Sequence, residues 1–212
     1  SPALTDFVVM AEGSTMFLTG PEVVRSVTGE QVSAQDLGGT AVHMARSGVA
    51  HLSATDDATA LELVKQLLGY LPQNNSEDPA PITPYDPADR MDAALDELIP
   101  EAESQAYDMR EVLARVFDRA SVLELQPDYA PNALIAFARL DGFPVGVVAN
   151  QPAHMAGALD IDASDKIARF IRCCDAYNIP VVSFVDCPGF LPGSEQEARG
   201  VIRHGAKIIY AY

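Results

Sequence analysis

Residues 179–185 read IPVVSFV, a continuous apolar run that follows a helical pattern and leads through DCPGFLPG into another helix. A short unbroken run of this kind, rich in β-branched residues, predicts a strand covered on both faces. Set between helices, such a strand points to an α/β chain.

The rest of the sequence supports that class. Hydrophobic residues make up 48% and charged residues 21% of 212, enough apolar surface for one large domain or two small ones. Residues 4–10 form a β-rich run, and residues 16–18 a second short one. Thr19, Gly20 and Pro21 then open a helix, with Thr19 or Gly20 as cap and Val23, Val24 and Val27 on its face. A stronger helix begins near Asp56 and Asp57, repeats Leu61, Val64, Leu67 and Leu68, and stops before Pro72. Six prolines between positions 72 and 100 preclude regular structure through most of that stretch. An amphipathic helix returns over 108–119. Two apolar runs, 133–140 and 143–149, meet at Asp141-Gly142, a strong hairpin signal. The next helix is expected over 162–178, capped by Asp162 or Ser164, with Ile167, Phe170, Ile171 and Cys174 inward. The last is expected to run from about Ser194 through Tyr212 without a break.

Charge excludes some partners. The net charge is −16, and sequence-independent binding to nucleic acid or to an anionic membrane surface needs clustered cations. The excess acid is uneven: residues 1–71 carry −5, residues 72–128 carry −10 and residues 129–212 carry −1. No apolar run reaches the length of about 18–20 residues that spans a membrane. Three cysteines without C-x-x-C spacing, and no targeting pattern at Ser1-Pro2-Ala3, fit a reducing compartment. The absence of an initiator Met and the uncapped last helix suggest a chain that starts and stops in mid-protein.

Two stretches could carry chemistry. The loop at 186–193 lies between a strand and a helix, where open α/β folds bind ligands, and its glycines and prolines let main-chain N–H groups face a ligand oxygen. Asp186-Cys187-Pro188-Gly189 is also of the D-x-P-G type found in GTPases, but none of Lys65, Lys166 and Lys207 directly follows a glycine, as a phosphate loop requires. The second stretch is Asn150-Gln151-Pro152, leading to Ala156-Gly157, where small residues would let a ligand approach the backbone. His43, His51, His154 and His204 have no metal-ligand spacing, and no G-x-S-x-G elbow is present. Cys187 has no nearby base and reads as a packed thiol.

Taken together, SPALTDF, MFLTGPEVV, LGGTAVH, SGVAH, VKQLLGYLPQNN, YDMREVL, FARLDGFPVGVVANQP, DKIARF, VDCPGFLPG and RHGAK resemble the carboxyltransferase β subunits of biotin-dependent acyl-CoA carboxylases. Within that family the pattern is nearest to the propionyl-CoA carboxylase β and methylmalonyl-CoA carboxyltransferase members. The resemblance implies an α/β, ClpP/crotonase-like spiral of β-β-α units, with parts of two such domains. Residues 1–71 would be the late part of the first, 72–128 an acidic Pro-rich connector with a short helix, and 129–212 the early part of the second. It implies carboxyl transfer from carboxybiotin, on a carrier protein, to the α-carbon of an acyl-CoA, propionyl-CoA favoured, through an enolate held by main-chain N–H groups. Oxyanion glycine motifs would lie before Ser1 and after Tyr212, so the chain alone would transfer nothing.

Within the chain, Ala156, Gly157, Gly189, Phe190, Gly193, Gln196 and Glu197 are the substrate-binding candidates the resemblance carries over, joined by Asn150 and Gln151 from the stretch after the strand, with no catalytic residue and no metal ligand assigned. Expected partners are a biotin carboxylase and biotin carrier subunit and further copies of the chain, in a hexamer whose N-terminal domains face neighbouring C-terminal ones. Nucleic acid and membrane are not expected, and the location is cytoplasmic, or the mitochondrial matrix in a eukaryote. Rival readings are the subunit of a sodium-linked acyl-CoA decarboxylase and a non-catalytic assembly module.

Overall fold

The computed structural model describes residues 2–102 and 105–212, so Ser1, the expected mid-protein start, lies outside the described residues. The chain divides into two compact units, Ser1–Leu67 with Gln126–Tyr129, and Leu68–Leu125 with Ala130–Tyr212. Residues 68–125, which include most of the expected connector, are packed into the second unit.

The first unit holds strands β1 (Val9–Ala11) and β2 (Leu52–Ala54) and helices α1 (Pro21–Thr28), α2 (Ala34–Gly38), α3 (Thr40–Ala45) and α4 (Asp57–Leu68). The strand expected over 4–10 is shorter and later, because Pro2–Leu4 turns as a 3-10 helix. Residues 16–18 form no strand, and Leu18 is fully exposed. Gly20 and Pro21 start α1 as read. β1 and β2 pair in parallel, Val9 opposite Leu52. Beneath them Met10, Met44 and Ala50 make a small core.

The second unit is built on a four-stranded sheet, β3 (Leu123–Leu125), β4 (Ala133–Leu140), β5 (Phe143–Asn150) and β6 (Val181–Phe184), in that spatial order. The hairpin is where the sequence placed it: Leu140 faces Phe143 across a turn in which Asp141 and Gly142 have φ of 50° and 81°, as a type I′ turn requires. β3, which no sequence signal marked, extends it on one side. Alternate residues of the hairpin serve two layers. Leu134, Ala136, Ala138, Val145, Val147 and Ala149 pack on Met109, Leu113 and Phe117, the first two on α6 (Met109–Val116). On the opposite face Phe137 meets Phe170 of α7 (Ile161–Ala176), ring centroids 5.3 Å apart.

Three sequence expectations are corrected here. β6 is an edge strand, not one covered on both faces: Val181, Val182 and Phe184 are half-buried, and Ser183 and Val185 are exposed. α7 is capped by Asp160, not Asp162 or Ser164. The Asp160 carboxylate accepts from Ala163 N–H at 2.8 Å, while the Ser164 hydroxyl donates back to the Asp160 carbonyl. The last helix is two, α8 (Ser194–Ala198) and α9 (Val201–Ala211), parted by Gly200 at φ 87°, a left-handed value that interrupts a helix.

The Pro-rich stretch is irregular apart from α5 (Leu95–Leu98), yet it is anchored. Buried Arg139 reaches the Ala80 carbonyl at 3.5 Å, donates to those of Gly69 and Gly142 at 2.6 and 2.7 Å and sits 4.9 Å from the centroid of the Tyr70 ring. Asp86, also buried, accepts from Arg119 N–H at 2.7 Å, and Arg90 donates to the carbonyls of Arg115 and Phe117.

Candidate functional site

β5 and β6 run parallel, with Gly146 opposite Val181 and Ala149 opposite Phe184. Their carboxyl ends deliver two loops to one place, 151–160 and 185–193. Asn150, the last residue of β5, ties them together. Its Nδ2 donates to the Gly157 carbonyl at 3.0 Å and its Oδ1 accepts from Asp186 N–H at 3.3 Å. Further along, Leu159 N–H donates to the Gly189 carbonyl and Leu191 N–H to the Leu159 carbonyl, at 3.0 and 2.8 Å. This is one rung of parallel ladder outside the sheet.

Between Asn150 and that rung the backbone turns sharply. Met155, Ala156 and Gly157 have successive φ of 49°, 51° and 74°. Left-handed conformation costs a non-glycine residue about 1–3 kcal/mol, and such strain concentrates at functional sites. At Gly157 a side chain is doubly excluded, since a Cβ would lie 2.5 Å from the Asp186 carbonyl oxygen. Ala156 is exposed and carries only a methyl, so the main chain of the turn is open to a ligand.

A cleft of about 370 Å³ opens against this turn. Ala156, Pro152, Asp186 and Tyr107 line one part, Ile99 and Pro100 another. The Tyr107 hydroxyl donates to Asp186 Oδ2 at 2.7 Å. Burial, and then the Asp186 carboxylate, push the Tyr107 phenol well above its ordinary range, so it stays a protonated donor at any working pH. Tyr107 is a functional candidate that sequence reasoning did not select, and Asp186 was singled out only as the start of the 186–193 loop. The two are 79 residues apart, and only the YDMREVL motif hinted at Tyr107.

The nine residues expected from the sequence are distributed unequally. Asn150, Ala156 and Gly157 meet at the turn. Gln151 is fully buried and spent on the fold: its Oε1 accepts from Met109 N–H at 3.1 Å and its Nε2 donates to Asp108 Oδ1 at 2.6 Å. Gly189 holds the rung to Leu159. Phe190 lies over Gly205 of α9, so closely that a Cβ there would be 2.6 Å from the ring. Gln196 reaches the start of α7, its Oε1 accepting from Ile161 N–H at 3.2 Å. Gly193 and Glu197 are exposed around the start of α8. None of Gly189, Phe190, Gly193, Gln196 and Glu197 lines the cleft. Among the described residues no group of three His, Cys, Asp or Glu could hold a metal ion, and no helix is long and apolar enough to cross a membrane.

Against known proteins, a family model described as the carboxyl transferase domain matches residues 1–212. The carboxyltransferase subunit of propionyl-CoA carboxylase from Haloferax mediterranei is 52% identical over all of this chain, which covers 41% of that protein. The α subunit of methylmalonyl-CoA decarboxylase from Veillonella parvula is 53% identical, again over the whole chain and 42% of the relative. A crystal structure of transcarboxylase 12S, described as a hexamer with methylmalonyl-coenzyme A and methylmalonic acid bound, superposes with a TM-score of 0.97 at 50% identity. The match covers all of this chain and 41% of that one. The chain thus spans about two fifths of the length of these relatives, and its α/β architecture is the ClpP/crotonase-like one read from the sequence.

Proposed function

Because the chain belongs to the carboxyl transferase domain family, we propose that the protein it forms part of moves a carboxyl group between a biotin carrier and the α-carbon of an acyl-CoA, with propionyl-CoA as acceptor. The observation that carries this reading is the match over all 212 residues to relatives named for that chemistry. In the transfer the N–C bond of carboxybiotin would break and a C–C bond would form at the acyl-CoA α-carbon, whose proton would pass to the freed ureido nitrogen of biotin while the thioester oxygen holds the intervening negative charge. Carboxybiotin, when bound, supplies the carboxyl carbon.

The chain's own contribution is positioning. The cleft at 150–157 and 186 suits a flat polar group: Ala156 keeps the approach to the main chain open, and Pro152 gives a rigid wall. Asn150 fixes both loops with one side chain. Tyr107 holds the Asp186 carboxylate in place at the cleft wall. Electrostatic preorganisation of this sort needs dipoles fixed before the charge develops. We assign Ala156, Tyr107 and Asp186 to the cleft itself, with buried Asn150 and Gly157 shaping the turn behind it. Gly189, Phe190, Gly193, Gln196 and Glu197 support or border it, and Gln151 braces it from beneath. Assembly with a biotin carboxylase and carrier, and with further copies of the subunit in a hexamer, belongs to the same proposal.

The test is formation of methylmalonyl-CoA from propionyl-CoA and a carboxylated biotin carrier by the full-length protein. Ala156→Asn, whose side chain tolerates the left-handed φ of 51° while filling the approach, is expected to lower the rate at least tenfold, since a displacement of about 1 Å can cost 100-fold, with the melting temperature held. No product from the unaltered protein would refute the reading. The Veillonella parvula relative supports a second one, the reverse direction. Sodium-dependent release of CO₂ from methylmalonyl-CoA, without ATP-linked carboxylation, would establish it instead.

A further inference from the structure

The strained turn at 155–157 sits in a loop, 151–160, whose two ends are gripped by one residue that no sequence signal marked. Asn132 lies in the turn just before β4 and is fully buried. Its main-chain carbonyl accepts from Gln151 N–H at 2.9 Å, where the loop leaves β5. Its side-chain Nδ2 donates to the Ala158 carbonyl at 2.8 Å and to Asp160 Oδ1 at 3.2 Å, where the loop enters α7. A single residue thus closes the loop into a ring.

The turn needs such a grip. Met155 and Ala156 hold left-handed φ of 49° and 51° without being glycine, and that conformation persists only where the surroundings over-determine it. Asn150 fixes the turn at the Gly157 carbonyl. The rung at Leu159 ties the loop to Gly189 and Leu191, which belong to another loop. Asn132 instead joins Ala158 and Asp160 to the root of β4, a strand paired on both sides. The Asn132 Oδ1 meets no partner among the described residues, so the amide serves this loop as a donor. The cap of α7 does not depend on it, because Asp160 also accepts from Ala163 N–H.

We propose that Asn132 is a positioning residue for the cleft: by clipping both ends of 151–160 it holds the Ala156 main chain in its place on the cleft wall. What the turn does rests on the carboxyl-transfer reading; what holds the turn does not. A site displaced by about 1 Å can lose about 100-fold in rate, and an interaction realised only in the transition state is read in kcat rather than in KM.

The test is Asn132→Ala in the full-length protein, which removes the donor and keeps the main-chain contact to Gln151. Amide hydrogen exchange at Gly157 and Ala158 should quicken about tenfold while that at Phe137 and Val147 of the hairpin holds. In carboxyl transfer to propionyl-CoA, kcat should fall about tenfold or more, with KM within about twofold. Leu125→Ala, which empties a fully buried position on β3, should lower the melting temperature and leave kcat within about twofold. If the alanine variant fails to fold by circular dichroism, Asn132→Ser, whose hydroxyl stops short of the Nδ2 position, must give the same pattern. Exchange unchanged in a folded variant, exchange quickened equally in the hairpin, an equal loss of kcat in Leu125→Ala, or failure of both Asn132 variants to fold would each overturn the proposal. No transfer by the unaltered protein would refute the carboxyl-transfer reading, and exchange alone would then decide the clip.

Discussion

Strands β5 and β6 are hydrogen-bonded neighbours in one sheet, and both are apolar in sequence, yet only β5 is enclosed. Seven of its eight residues are buried, and β6 has none buried. The two differ in what stands above and below them. β5 lies inside the sheet with α6 and Phe117 on one face and α7 on the other, so close to α7 that a Cβ on Gly146 would lie 2.5 Å from Cys174 Sγ. β6 is the last strand, held on one edge by β5 and partly covered by Phe117 against Phe184, ring centroids 5.8 Å apart. Apolar composition shows that a strand tolerates burial; its place in the sheet decides whether it receives it.

The largest expected effect comes from emptying the enclosed strands. Phe137, fully buried between Tyr70 and Phe170, is replaced in Phe137→Ala at a cost of about 3–5 kcal/mol, read by urea unfolding. A loss near 1 kcal/mol would mean the hairpin is no better packed than the edge. On that edge Phe184→Ala should cost only about 1 kcal/mol, roughly half the burial value of an aromatic side chain.

A smaller effect follows from the layer that covers β5. Asp108 caps α6, its Oδ1 accepting from Arg110 N–H at 2.9 Å and from Gln151 at 2.6 Å. Partial burial raises its pKa, but these hydrogen bonds and the Arg110 charge outweigh it and hold the carboxyl below its ordinary value. The native state therefore binds fewer protons than the unfolded chain. The contribution is complete above about pH 4 and is lost as pH falls through the folded value. Asp108→Asn, which can still cap the helix, should flatten that acid slope in thermal melts. An unchanged slope would show that the cap charge does not secure the layer. The smallest effect belongs to Val185, 82% exposed just beyond β6: Val185→Ser should stay within about 0.5 kcal/mol of the unaltered chain.

Local chemistry made much of this molecule legible. Asp141-Gly142 set the hairpin, Gly20-Pro21 the start of α1, Asp108 the start of α6, and the spacing of Ile167, Phe170, Ile171 and Cys174 the inward face of α7. The errors have a common form. The cap of α7 had three acceptable side chains within five residues, and only the final backbone path chose Asp160. Gly200 breaks a pattern that its neighbours would continue, and β3, three residues long, exists because β4 offers it an edge.

The site divides in the same way. Asn150, Ala156 and Gly157 were legible because small residues after a strand are a local signature. Tyr107 was not, being brought within 2.7 Å of Asp186 across 79 residues. Nor did the sequence distinguish Asn150 from Gln151, adjacent amides of which one ties the loops and the other is sealed under α6.

The sequence by itself determined where elements turn and stop, which helix faces are apolar, and the family, because these depend on residues near one another along the chain. Only the tertiary structure decided which apolar strand is buried, that an acidic Pro-rich stretch is pinned by Arg139 and Asp86, and that Tyr107 meets Asp186. Those outcomes rest on burial and on pairings between distant residues, and neither exists until the chain has closed on itself.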